Sequence, residues 1–134
     1  MQTVHVASTP TSYTPGLRKV NREIAELDFP VQELTAQWAM FQKDCPDPTT
    51  DESCLDAKSK IMQSMQKVYE SRLLLLDQKI SLLETGPQDS YAKQQVEEST
   101  KNREQLKTAL QKIPVVLASL DRSLEQLKNA KEDR

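Results

Sequence analysis

The chain contains one histidine, two glycines, two cysteines and few aromatic residues, 4% of the total. Each shortage closes a class of function. The single histidine, His5, lies in the N-terminal leader, too few and too far out for a zinc site that needs about four ligands. Two glycines cannot supply a Gly-rich phosphate loop or the many tight turns of a sandwich or barrel. No unbroken apolar run exceeds four residues, Leu73–Leu76 among them, where a membrane span needs roughly 20. No basic region followed by an apolar stretch marks a signal peptide. Charge is near balance, 18 basic against 20 acidic residues, with no basic block interleaved with aromatics. Nucleic acid is therefore not an expected partner.

What remains is helix-forming sequence with a strong period. The first 14 residues, "MQTVHVASTPTSYT", carry no such period and read as a flexible Ser/Thr/Pro-rich leader, the kind left when a signal peptide or anchor is removed. From Leu17 the pattern changes. Leu17, Val20, Ile24, Leu27, Val31, Leu34, Trp38 and Phe41 alternate at spacings of three and four, a heptad seam with no member missing. Thr14 with Pro15 marks the start, since proline at the first helical position loses no bond. The seam stays in phase across Pro30, which predicts one helix over 15–44, kinked there.

A second helix is expected over 54–85. Ser53 and Asp56 form a variant capping pair, and Asp51 and Glu52 suit the positive helix end. Its apolar face is the widest, with Met62, Tyr69, Leu73, Leu76, Ile80 and Leu83 on one seam and Met65, Val68, Leu75 and Leu82 beside it. Gly86-Pro87 stops it, and Asp89 or Ser90 caps a third helix over 89–131. That segment carries Leu106, Leu110, Ile113, Leu117, Leu120, Leu124 and Leu127, while Ser99 and Arg103 occupy the same seam nearer its start. Pro114 kinks this helix or opens a short fourth one. The expected fold is all-α: an elongated antiparallel three-helix bundle with coiled-coil-like packing, forming a single unit over 15–134.

The two cysteines bracket a proline-broken acidic loop, "CPDPTTDESC". Three readings compete: a redox pair, a metal site, or a staple between helix ends. Redox pairs usually come as C-x-x-C, and eight residues intervene here. The staple needs only that the end of the first helix and the start of the second be neighbours, so a Cys45–Cys54 disulfide is expected, with two free thiols as the alternative. A structural disulfide implies an oxidising compartment, so a periplasmic or secreted location is expected, with a cytosolic one as the alternative.

Catalysis needs convergent groups of matched pKa. The acidic pairs read as solvated helix faces, and the loop acids lack the spacing and turn glycine of a calcium loop. No enzyme activity, cofactor or metal is expected. Three classes remain. The first is an extracytoplasmic scaffold or assembly factor, similar in general shape to helical accessory proteins of bacterial secretion machines. The second is a ligand-sensing domain with Ser99 and Arg103 lining a small-molecule site, where an anionic ligand would suit Arg103 and Arg72, both of which interrupt seams. The third is a cytosolic coiled-coil adaptor or secretion chaperone. At 1.5 Å per residue the third helix would run roughly 65 Å against roughly 45 Å for its neighbours. Its last dozen residues should overhang without a partner helix. The leucines there, Leu117, Leu120, Leu124 and Leu127, are the expected surface for a protein partner or a second copy.

Overall fold

A computed structural model of the chain describes residues 14–47 and 51–132, and every described element is a helix or a connection between helices. The leader with His5, and Pro48, Thr49 and Thr50 of the cysteine loop, lie outside the described residues. Four helices follow one another: α1 (Pro15–Glu26), α2 (Asp28–Asp44), α3 (Glu52–Thr85) and α4 (Ser90–Glu132).

The single first helix expected over 15–44 is instead two. Pro15 occupies the first turn of α1, and the helix ends at Leu27, whose amide donates to the Ile24 carbonyl at 3.1 Å. Pro30 causes the break. In a continuous helix its ring would press on the Glu26 carbonyl and leave it without a donor. Restarting at Asp28 makes Pro30 the third residue of α2. The first four amides of a helix have no internal partner, so the missing N–H costs nothing there.

Pro114 behaves differently. α4 runs through it without interruption, and no separate short helix forms after it. The Leu110 carbonyl loses its usual donor, but the helical residues on both sides hold the backbone in register.

The helix ends are built from side chains. Asp51 caps α3, its Oδ1 accepting from the amides of Ser53 at 2.8 Å and Cys54 at 3.3 Å. This replaces the expected Ser53–Asp56 pair. Asp89 caps α4 through the Ala92 amide at 2.8 Å. Gly86 does not take the left-handed conformation usual for a glycine stop. Instead the Gln88 side chain donates to the carbonyls of Leu83, Glu84 and Gly86 at 2.9–3.2 Å, satisfying acceptors that the end of α3 exposes. A Cβ at Gly86 would stand 3.2 Å from the Leu82 carbonyl oxygen, which is why a bulkier residue fits poorly.

The chain divides into two compact units. The first combines the described part of Met1–Asp28 with Ser71–Lys107. Its core is Leu17, Val20, Leu83 and Ala92, with Ile24, Leu75, Tyr91 and Val96 packed around them. α1, α3 and α4 thus each contribute seam residues. The second unit combines Phe29–Glu70 with Thr108–Arg134. Phe41, Cys54 and Ile61 form a core there, flanked by Leu34, Trp38, Cys45, Ala57 and Met65. Among the described residues no helix is long and apolar enough to cross a membrane.

Candidate functional site

Three places in the sequence promised function: the cysteine loop, the polar seam positions and the last leucines. The first is the simplest. Cys45 directly follows α2 and Cys54 lies in the first turn of α3, and their sulfurs stand at disulfide distance with Cα atoms 5.9 Å apart. That separation falls in the range a bridge requires. Among the described residues no cluster of histidine, cysteine or carboxylate side chains is placed to hold a metal ion.

The polar seam residues lie in the first unit. Arg72 donates to Asp28 at 3.2 Å, joining α3 to the first residue of α2. Arg103 faces Asp77 of α3 at 3.5 Å and Glu104 at 3.8 Å. Ser99 is buried, 2% exposed, one turn before Arg103. Both arginines therefore have carboxylates beside them, which oppose a bound anion. The Nε atoms of both are nonetheless buried without a hydrogen-bond partner. Their stems fill seam space while the guanidinium heads reach the edge. Nearby, burial holds the Lys79 ammonium below the usual lysine range, and the Glu98 carboxylate partly offsets this.

The last leucines differ most from expectation. Leu120 is buried, 6% exposed, and Leu117, Leu124 and Leu127 are each half-buried. The end of α4 is not an unpartnered overhang. Lys131 Nζ donates to Glu52 Oε2 at 2.8 Å, tying the last turn of α4 to the first turn of α3. Helix side chains lean toward their own N-terminus, so Lys131 reaches back from its Cα. A count of helical rise ignores that lean.

Beside this contact the second unit has an open cleft of about 620 Å³. Leu124 and Leu127 form its apolar part, Glu52, Ser53 and Asp56 contribute from α3 with the capping Asp51, and Lys128 and Lys131 from α4. The Lys131 hydrogen bond, then its charge, hold the Glu52 carboxyl below the usual carboxylate range. Lys128 adds to the effect, while desolvation and the Asp56 charge oppose it.

A carboxyl depressed in the folded state contributes stability above its unfolded pKa, and the contribution is lost as pH falls through the folded value. The Glu52 side chain is 34% exposed and that of Lys131 67%, so the effect is small and salt-sensitive. Lys131→Met should raise the Glu52 pKa toward the ordinary range, read from its side-chain carboxyl signal in an NMR titration. An unmoved titration would show that the ion pair does not form in solution.

Sequence reasoning missed one feature. Trp38 and Tyr69 occupy seam positions, which core packing would bury, yet both are only half-buried. Both line an apolar recess between α2 and α3. Trp38, in the wall of the recess, stacks on Phe41 with ring centroids 5.2 Å apart. The available signal was the methionine pair Met62 and Met65 on adjacent seams, because flexible side chains at core positions often mark loose packing. No protein-family model matches the chain, and no curated protein or solved structure matches it either.

Proposed function

We propose that this chain is a non-enzymatic, extracytoplasmic helical scaffold or assembly factor, working as an accessory part of a cell-envelope or secretion machine. It binds a protein partner, or a second copy of itself, through the leucine cleft at the cysteine-bridged end of the second unit. Helices within it run antiparallel with coiled-coil-like packing. That reading is supported by Leu83 of α3 packing with Ala92 of α4 in the first unit, and by Glu52 meeting Lys131 in the second.

The observation that carries the proposal is the composition of the cleft. Leu124 and Leu127 supply a half-exposed apolar centre, with acids on one wall and lysines on the other. Protein interfaces are built on this plan, an apolar centre that excludes water inside a charged rim that sets orientation. The cysteine bridge beside it ties the start of α3, which carries the acidic wall, to the end of α2, so less ordering is needed on binding.

The test is the double change Leu124→Asp with Leu127→Asp, leaving the buried Leu120 intact. Association, followed by light scattering over a protein concentration series and by co-purification of the native partner, should fall at least tenfold. Helix content by circular dichroism should stay within a few per cent of wild type. Association retained at wild-type strength would remove the cleft from the binding surface.

A further inference from the structure

The recess between α2 and α3 in the second unit is unused by the proposed scaffold function. Its volume is about 200 Å³. Leu34, Thr35 and Trp38 line it from α2, and Met62, Met65 and Tyr69 from α3, with one valine on each helix. None of these residues is fully buried, so the recess opens to the outside.

Three features define what fits. The first is electrostatic: every lining side chain is uncharged. A charged occupant would lose hydration and find no partner, whereas a neutral apolar one loses nothing. Size is the second. An engineered apolar cavity of about 150 Å³ takes up benzene, and pockets for drug-sized molecules begin near 300 Å³. A volume of 200 Å³ therefore suits one ring or a short branched chain. Chemistry of the walls is the third. The Thr35 hydroxyl donates to the Val31 carbonyl at 2.8 Å, so its proton is already engaged. Met62 and Met65 offer polarisable, adaptable thioethers that favour aromatic edges. The stacked Trp38 and Phe41 rings hold the opposite side in place.

We propose that this recess is a binding site for a small, uncharged aromatic or branched apolar molecule. It is distinct from the leucine cleft and independent of any partner seated there.

The experiment uses the full chain with carbon-13-labelled methionine methyl groups, titrated with toluene and, separately, with benzoate. The two probes share a ring and differ in charge. Toluene should shift the Met62 and Met65 methyl signals along saturating one-site curves. Met40, 64% exposed on the same helix as Trp38, should not move. Benzoate should bind at least tenfold more weakly. Thr35→Phe provides the second arm. Thr35 is exposed, so the fold tolerates the change, and the new ring should fill the recess and weaken toluene binding at least tenfold. Failure of toluene to saturate, equal shifts with benzoate, or unaltered affinity in Thr35→Phe would each overturn the proposal. So would Met62 and Met65 shifts that depend on protein concentration without any probe, because a second copy would then fill the recess.

Discussion

Truncating Leu83 to alanine should lower the free energy of unfolding by roughly 3–5 kcal/mol, the upper part of the range for buried leucines. Leu83 is 0% exposed and packs with Leu17, Val20 and Ala92, so α1, α3 and α4 all lose contacts when its side chain is cut back. The site has little freedom to collapse. Leu17 is itself 1% exposed, and moving any of the three helices inward would disturb the seam residues Ile24, Leu75 and Val96 around them. The cost is therefore the lost transfer energy of the leucine plus a cavity that persists. Urea denaturation of wild type and Leu83→Ala, with the slope of the transition compared, measures it. A loss below about 1 kcal/mol would mean that the three helices do not meet at Leu83.

Opening the link between Cys45 and Cys54 should cost roughly 2–3 kcal/mol in the chain-entropy account of a closed loop this short. The two residues are nine positions apart in sequence, and they flank the second unit's core through Phe41 and Ile61. Cys54 is buried, so replacement by serine would add a desolvated hydroxyl to the entropic loss. Cys45→Ala with Cys54→Ala isolates the cross-link better. Denaturation of oxidised wild type against that variant should show the loss, and reduced wild type should match the variant. Equal stability of all three would remove the staple from the account. Two free thiols per chain in native material would place the protein in a reducing compartment and sink the extracytoplasmic assignment.

Much of the helical order was legible because seam residues and helix-end signals agree. Pro15 at the start of α1 and Pro87 after α3 act locally, through the fixed proline backbone. The neighbouring placement of Cys45 and Cys54 followed from the same hairpin logic. The break at Leu27 was not legible from periodicity. A heptad count registers where apolar side chains fall, and it is blind to the Glu26 carbonyl that Pro30 would orphan.

Side-chain reach explains the second difference. Counting 1.5 Å per residue gave α4 a free end, but Lys131 spans that gap to Glu52. Leu120, placed in the expected overhang, is buried as a result of packing that no local rule encodes. The third difference is the recess. Trp38 and Tyr69 sit on seam positions, and only three-dimensional packing reveals that their surroundings leave space. Of the ligand candidates, Arg72 and Arg103 stood out by interrupting apolar seams. Asp28 beside Arg72 and Asp77 beside Arg103 come from other helices, Asp28 lying 44 residues from Arg72, beyond any local pattern.

The most direct test of the central claim, that the leucine cleft receives a protein, is site-specific photo-cross-linking. A photoreactive residue at position 127 is compared with one at position 74, an exposed leucine of the first unit that does not line the cleft. In the cells that make the protein, position 127 should yield a discrete adduct with a partner or a second copy, and position 74 should not. Leu124→Asp should abolish that adduct. Adducts absent at 127, or equally strong at both positions, would contradict the account.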